Sequence, residues 1–342
     1  MYDWLQHIWY GNGRGGWLLL PLTWIYRLLI ELRLLLLKLG VLHRETPSLP
    51  VIVIGNLNVG GTGKTPLTLE LANRLRQKGF RPGIVSRGYG GIKGAKPVLV
   101  SPKSDPSIVG DEPVLLARNT QCPVVVHPDR VAAVERLVEE GANVVISDDG
   151  LQHYRMRRTY EVVVVDGARG FGNGRVLPAG PLREPVARLK SVDQVMIHGS
   201  WEMPTAAPPH AMNFDLRATT AISLDDGSSR PLEEFSGVTV HAVAGIGNPA
   251  RFFATLRVHG IRVIEHPFPD HKKYRAEDLS YSDGLPVLMT EKDVVKCHEL
   301  GVTNCWYVPI EIVVEEMEFA GWLEHLENCL AQEKPIAGIR YR

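Results

Sequence analysis

Residues 51–66 of this chain read VIVIGNLNVGGTGKTP, and this stretch decides the fold. Its first four residues are apolar and β-branched, which is typical of a buried parallel strand. A glycine-rich turn follows, and residues 67–78, LTLELANRLRQK, have the apolar spacing of a helix that ends at Gly79. Strand, glycine-rich loop and helix in this order are the setting of a phosphate-binding P-loop, in which backbone N–H groups surround phosphate oxygens.

The P-loop motif itself is incomplete. The pattern G-x-x-x-x-G-K-[ST] requires glycine where this chain has Asn58. Asparagine tolerates left-handed backbone better than most residues, so the strand and helix on either side favour a P-loop over a chance glycine-rich turn. Lys64 is then expected to neutralise phosphate charge and Thr65 to ligate Mg²⁺. The predicted nucleotide-binding residues are Asn58, Val59, Gly60, Gly61, Thr62, Gly63, Lys64, Thr65 and Pro66.

The strand pattern recurs along the chain. It appears at residues 83–86, 122–126, 143–147 and 161–165, with a helix pattern at 131–140 and a candidate last strand at 193–198. Alternating strands and helices predict a parallel sheet covered on both faces. A segment rich in Pro and Ala at 201–209 indicates a linker, and a second, smaller α/β cycle follows it. We therefore predict an α/β fold with three parts: a helical region (1–46), a P-loop domain (47–205) and a second α/β domain that closes over the nucleotide (206–342).

Composition limits the classes of partner and the compartment. The 342 residues include 38 basic (Lys and Arg) and 38 acidic (Asp and Glu) side chains, so no net positive charge indicates nucleic-acid binding. The four cysteines have no metal-ligand spacing and are too sparse to crosslink a chain of this length. A reducing cytoplasm fits this composition best.

Residues 17–42, WLLLPLTWIYRLLIELRLLLLKLGVL, form an unusually apolar segment. The charge-free run at 15–26 is shorter than the ~20 residues that span a bilayer. In a helix, Arg27, Glu31 and Lys38 would fall within about 40° of one another and leave a broad apolar face. This pattern predicts a helix that lies in the membrane interface. The alternative is a helix buried in the protein core.

Three carboxylates and one histidine are candidates for chemistry. Asp148 and Asp149 follow an apolar strand, where they would hold Mg²⁺ or occupy an ordinary turn. Asp111 precedes a helical run, where it would cap the helix or accept a proton from an attacking alcohol. His271 lies in an expected loop between Pro269 and Lys272, where a surface histidine without function is the alternative.

Basic side chains near turns are candidates for binding an anionic substrate. Arg183 lies in a loop rich in Gly and Pro at residues 172–184, and a guanidinium there would grip an anion through two hydrogen bonds. Arg87 and Arg130 lie in turns after predicted strands. For each of these residues the alternative is a solvent-exposed charge with no ligand.

Together these segments resemble the tetraacyldisaccharide 4'-kinases, the lipid A 4'-kinases of Gram-negative bacteria. The resemblance covers nearly the whole chain. It is carried by GNLNVGGTGKTP (55–66), RGYG (87–90), GDEP (110–113), HPDR (127–130), DDGLQH (148–153), LPAGPLRE (177–184), GIGNP (245–249), FPDH (268–271) and TEKD (290–293).

The resemblance implies a kinase that uses ATP and Mg²⁺ to phosphorylate the 4'-hydroxyl of a lipid-embedded disaccharide. Asp111 would be the base, assisted by a His271 that swings toward it, while Asp148 and Asp149 would serve Mg²⁺. The substrate would contact Arg87, Arg130, His153 and Arg183. The protein would work at the cytoplasmic face of the bacterial inner membrane through its N-terminal helix, without nucleic acid or an obligate protein partner. Two rival hypotheses stay open: a membrane-peripheral P-loop ATPase that drives partner binding or localisation, and a non-catalytic nucleotide-binding module.

Overall fold

A computed structural model describes residues 2–11, 13, 15–88, 96–297 and 300–332. Its α-helices are α1 (Tyr2–Tyr10), α2 (Leu20–Lys38), α3 (Lys64–Gln77), α4 (Pro106–Val109), α5 (Asp111–Asn119), α6 (Arg130–Glu139), α7 (Pro249–Val258), α8 (Glu291–Val294) and α9 (Glu316–Gln332). Short 3₁₀ helices are Gly16–Leu19, Val186–Ser191, Leu232–Phe235 and Ala276–Asp278.

The strands form two sheets. They are β1 (Val51–Gly55), β2 (Pro82–Ser86), β3 (Val98–Val100), β4 (Val124–Val126), β5 (Val144–Asp148), β6 (Tyr160–Asp166), β7 (Gln194–His198), β8 (Met212–Arg217), β9 (Thr220–Ser223), β10 (Ser229–Pro231), β11 (Thr239–Ala244), β12 (Arg262–Pro267), β13 (Val287–Thr290), β14 (Cys305–Val308) and β15 (Glu311–Val314).

The first sheet has nine strands in the order β15-β8-β7-β6-β1-β5-β2-β4-β3. All neighbours are parallel except the two edge pairs, β3 with β4 and β15 with β8. Successive residues of β1 point into opposite cores: Ile52 and Ile54 pack beside α3, α5 and α9, whereas Val51 and Val53 pack beside α6. Both faces are covered, which explains why β1 is apolar throughout. The predicted α/β class is confirmed.

The second sheet has six strands in the order β10-β9-β14-β13-β11-β12. The sheets do not divide at the predicted boundary between residues 205 and 206. β8 pairs with β7 of the first sheet, and the chain returns to that sheet through β15. Helix α9 then packs Phe319 and Trp322 into the first core. The Pro-rich stretch 201–209 therefore connects two neighbouring strands of the same sheet. Alternate residues of β8 are buried, and Met212 and Phe214 belong to the core of the first sheet.

The N-terminal helices lie against the loop at residues 172–184. Trp9 Nε1 donates to Pro178 O at 2.9 Å, and the Ala179 N–H donates to Thr23 Oγ1 at 3.0 Å. The opposite side of α2 is exposed, with Trp24 at 75% and Leu28 at 65%. Among the described residues, no helix is both long and apolar enough to cross a membrane. The buried-core alternative for this helix does not match these exposures.

Candidate active site

The P-loop joins the buried strand β1 to helix α3, as the sequence predicts. Gly60 and Gly63 have φ angles of 109° and 94°, which favour glycine. Space for a side chain at position 63 is also tight, because a Cβ would lie 3.1 Å from His198 Nδ1 and 3.3 Å from Phe214. Gly247, in the loop between β11 and α7, lies against the P-loop, since a Cβ there would be 3.6 Å from Gly61 N.

Asn58 does not have the conformation that we predicted for it. It does not have the left-handed backbone that would replace a glycine. Instead its side chain is buried, and Nδ2 donates to Gly170 O at 3.0 Å and to Tyr10 Oη at 3.2 Å. The next residue, Val59, donates its N–H to Pro181 O at 2.9 Å. Asn58 and Val59 therefore fix the loop to its neighbours.

The carboxylates at the end of β5 meet the P-loop lysine. Lys64 Nζ lies 3.5 Å from Asp149 Oδ1, and Arg183 Nη1 donates to both oxygens of Asp149 at 3.2 Å. Against the effect of burial, these two cations and Arg130 lower the pKa of Asp149 to about 2. Asp148 is the opposite case: burial, with the nearby carboxylates of Glu112 and Asp149, raises its pKa to about 7.

Arg130 requires a correction. The sequence placed it among substrate contacts, but its side chain is 2% exposed. Its guanidinium donates to Ser147 Oγ at 2.7 Å, Asp148 O at 2.6 Å and Asp149 O at 3.1 Å. A buried guanidinium must satisfy its donors within the protein, and here it does so on the backbone of the two aspartates. Arg130 therefore holds the carboxylate turn rather than a substrate.

The other predicted substrate residues lie in different surroundings. Arg87 is exposed directly after β2, and the turn at residues 89–91 lies outside the described residues. His153 is half-buried, and its Nε2 has no hydrogen-bond partner among the residues described. Burial and the charges of Arg130 and Arg158 lower the pKa of His153 to about 4, so its imidazole is neutral at pH 7. Arg183 is paired with Asp149, and its backbone carbonyl accepts a hydrogen bond from Tyr26 Oη at 3.1 Å.

Asp111 lies in the first turn of α5 and contacts His271, in the loop that follows β12. The helix cap is Gly110 rather than Asp111. Asp111 is buried, and His271 Nδ1 lies 3.0 Å from each of its oxygens. Burial alone would raise the pKa of Asp111, but the hydrogen bond from His271 and the charge of Lys292 hold it below its ordinary value. The swing that we expected of His271 is not needed in this structure, because the two side chains are already in contact.

Two lysines beside this pair were not singled out from the sequence. Lys292 Nζ lies 4.0 Å from Asp111 Oδ2, and Lys296 Nζ lies 3.9 Å from the same atom. Lys292 belongs to the TEKD segment, one of the motifs that carry the resemblance. The pattern that would have revealed them is a pair of lysines four residues apart, which lie on one side of a helical turn.

The site combines three parts: a P-loop, carboxylates at the carboxyl end of the neighbouring strand β5, and a carboxylate–imidazole pair that joins the two sheets. This combination defines a P-loop kinase, because it provides for a nucleotide phosphate chain and a base for an alcohol acceptor.

The comparisons with known proteins identify the kinase family. The family model for tetraacyldisaccharide-1-P 4'-kinase (LpxK) matches residues 16–328, and the chain belongs to this family. The tetraacyldisaccharide 4'-kinase of Nitrosococcus oceani is 51% identical over 305 residues, which are 89% of this chain and 88% of that protein. The corresponding protein of Alkalilimnicola ehrlichii is 52% identical over 312 residues, 91% of this chain and 92% of that protein.

A solved structure is also similar. It is the "apo" form of LpxK from Aquifex aeolicus in complex with ATP, with a TM-score of 0.76 and 30% identity. The match covers 91% of this chain and 98% of that one. The resemblance stated from the sequence motifs is thereby confirmed.

Proposed function

We propose that this chain transfers the γ-phosphate of ATP to the 4'-hydroxyl of a tetraacylated glucosamine disaccharide 1-phosphate, a lipid A precursor. The observation that carries this proposal is the contact of 3.0 Å between Asp111, in the first turn of α5, and His271, in the loop after β12. A buried carboxylate held by an imidazole fits the base that an alcohol acceptor requires. The family membership supports the same acceptor.

In this mechanism Asp111 accepts the proton of the 4'-hydroxyl while the sugar oxygen bonds to the γ-phosphorus and the bond to the ADP oxygen breaks. His271 orients Asp111 through the hydrogen bond at Nδ1. Lys64, in the first turn of α3, neutralises charge on the phosphates. Positioning and charge neutralisation provide most of the rate, because phosphoryl transfer needs little covalent help from the protein.

The residues around Asp148 fit a Mg²⁺ ion bound with the nucleotide. Asp148 Oδ2 is buried and has no hydrogen-bond partner among the described residues, as expected of an oxygen that awaits a cation. Within the part of the chain that the structure describes, no group of three or more His, Cys, Asp or Glu side chains forms a metal site. Mg²⁺ usually takes one or two carboxylates and completes its shell with water and phosphate. Asp148, Asp149 and Thr65 would hold it, and the ion would neutralise phosphate charge.

We also propose that the exposed apolar side of α2 lies in the membrane interface, at the cytoplasmic face of the inner membrane. Trp17 and Trp24 are exposed, and tryptophan side chains are typical of the headgroup region of a membrane. Leu28 and Leu32 continue the same apolar surface. The acceptor is lipid-embedded, so this contact would bring the site to the height of its headgroup. Arg87, His153 and Arg183 remain the proposed substrate contacts.

For the domain organisation we propose two units: a P-loop unit of residues 47–217 with 311–332, and an inserted unit of residues 218–310. Each would have its own sheet and core.

The test of the function is phosphate transfer from [γ-³²P]ATP to a tetraacyl disaccharide 1-phosphate in detergent micelles. We expect label in the lipid fraction, dependent on Mg²⁺ and absent in a Lys64→Met variant. If label appears only as free phosphate, and does so equally without acceptor, the ATPase hypothesis replaces this one. ATP binding without any release of label would instead identify a non-catalytic module.

A further inference from the structure

Lys292 is the cation at the centre of three carboxylates. Its Nζ lies 2.9 Å from Glu112 Oε1, 3.3 Å from Asp270 Oδ1 and 4.0 Å from Asp111 Oδ2. Asp111 and Glu112 belong to α5 of the P-loop unit, whereas Lys292 and Asp270 belong to the inserted unit. The side chains of Lys292 and Asp111 are 18% and 4% exposed, so solvent screens their interaction less than that of a surface pair, whereas Glu112 and Asp270 are 34% and 42% exposed.

Lys296 has a different role, although it lies at a similar distance from Asp111. Its Nζ donates to Asp293 Oδ1 at 2.7 Å. Asp293 is fully buried, and it also accepts hydrogen bonds from Gly245 N at 2.9 Å and Thr290 Oγ1 at 2.6 Å. Lys296 therefore neutralises a buried carboxylate within its own unit. Lys292 has no such partner in its own helix, and two of its three carboxylates lie across the boundary between the units.

We propose that Lys292 is a positioning residue for phosphoryl transfer, which holds Asp111 ionised and aligned with His271 by gathering the carboxylates of Asp111, Glu112 and Asp270 around one ammonium group. Without this cation, the three carboxylates, one of which is the buried base Asp111, would face each other with His271 and Lys296 as the balancing groups among the described residues. Like charges at this spacing favour protonation of one carboxylate. A protonated Asp111 cannot accept the proton of the acceptor.

This inference rests on the proposed function, because its readout is kinase turnover. The variant is Lys292→Met, which keeps the length of the side chain and removes its charge. We expect kcat to fall roughly 10-fold or more, with KM for ATP changed less than 3-fold. The acid limb of the pH profile of kcat reports protonation of the Asp111–His271 pair. We expect this limb to move to higher pH by about one unit. Lys292→Arg retains the charge and is expected to restore most of the turnover and the original limb.

Two further variants make the test specific. Lys190→Met removes an exposed lysine that precedes β7, at the sheet edge opposite the P-loop, and is expected to leave kcat and the limb unchanged. Asp270→Asn removes a negative charge beside His271 and Lys292, so it is expected to move the acid limb down rather than up. This opposite sign tests the proposal even if Lys292→Met does not fold.

The inference is overturned if folded Lys292→Met has the kcat and acid limb of the unmodified protein. It is also overturned if Lys292→Arg is as impaired as Lys292→Met and the acid limb stays in place in both variants. The effect of Lys292 would then come from packing and not from its charge. Absence of transfer by the unmodified protein would instead contradict the proposed function, so the two failures are distinguishable.

Discussion

His271 Nδ1 lies within 3.0 Å of both carboxylate oxygens of Asp111, although 160 positions separate the two residues in the chain. Asp111 is nearly fully buried, while His271 is 28% exposed on the side of the inserted unit. One unit thus supplies the carboxylate, and the other supplies the group that orients it. This division of the base between two units leads to the first two predictions.

Replacing Asp111 with Asn is expected to lower kcat by about 10²- to 10⁴-fold, the usual contribution of a general base. ATP affinity is expected to stay within a few-fold of normal, because the P-loop is untouched. Steady-state kinetics and nucleotide titration measure the two effects separately. Asp226→Asn makes the same charge change on an exposed hairpin of the inserted unit and serves as control. Near-normal turnover in Asp111→Asn would reduce Asp111 to a structural residue of α5.

The ion pair between Asp111 and His271 is expected to make stability depend on pH. The hydrogen bond to Asp111 raises the pKa of His271 above 6.5 against the effect of burial, and Asp270 contributes while Lys292 opposes. The stabilisation is therefore complete below about pH 6.5 and is lost as pH rises through the raised value. On the acid side it is lost below about pH 3.8, as pH falls through the lowered pKa of Asp111.

Chemical denaturation of the unmodified protein and of His271→Gln measures this effect. The difference in unfolding free energy is expected to be largest at pH 5–6, at up to about 1 kcal/mol, and to shrink above neutrality. A difference that is constant from pH 5 to 9 would show that the imidazole carries no charge in the folded state.

Replacing Arg130 with Met is expected to destabilise the protein by about 2–4 kcal/mol, because buried carbonyl and hydroxyl acceptors lose charged donors. The turn that bears Asp148 and Asp149 would also lose its support, so the Mg²⁺ concentration for half-maximal activity is expected to rise. Denaturation and Mg²⁺ titration measure these effects. Arg155→Met, which breaks exposed ion pairs with Glu45 and Asp129, is the control and is expected to cost much less. A destabilisation no larger than that of the control would contradict this structural role and favour the predicted substrate contact of Arg130.

Asn58→Gly restores the strict P-loop pattern, yet we expect it to weaken the protein. The substitution removes the hydrogen bonds to Gly170 O and Tyr10 Oη, at a cost of about 1–3 kcal/mol. ATP affinity is not expected to improve, because position 58 does not have a left-handed backbone. Thermal unfolding and ATP titration measure both. Tighter ATP binding with unchanged stability would support the original interpretation of this position.

Replacing Trp24 and Leu28 with Ser is expected to reduce binding to anionic vesicles by about 10-fold or more, since each exposed side chain buries apolar area in the interface. Vesicle co-sedimentation measures it. Val258 and Met317 are 85% and 83% exposed and lie outside the N-terminal helices, so their replacement with Ser is the control. Point substitutions are preferable to deletion of residues 1–40, because Trp9, Thr23 and Tyr26 hold the loop beside the P-loop. Equal binding by both double variants would argue against a membrane role for this surface.

Local patterns predict the first sheet well. Val51 to Ile54 could be assigned as a buried strand because apolar side chains on both sides of a strand require cover on both faces. The partners of Arg130 could not be predicted, because the same turn sequence suits an exposed arginine and one that donates to a neighbouring strand end. Nor could the return of the chain to the first sheet, since the short strand β15 has no pattern of its own and is fixed by its pairing with β8. The role of Lys292 could not be predicted for a similar reason, because its partners Glu112 and Asp270 lie 180 and 22 positions away in the chain.

The inserted unit leaves the first sheet at Arg217 and rejoins it at Glu311, and these two residues are paired neighbours on antiparallel strands. Two covalent connections that start side by side form a hinge, which allows rotation mainly about one axis. Any opening of the site would then withdraw His271, Lys292 and Lys296 from Asp111 as one set. The base would lose its orienting partner and its balancing charges in a single movement, so an open enzyme would have no ionised and aligned base with which to activate water in place of the acceptor.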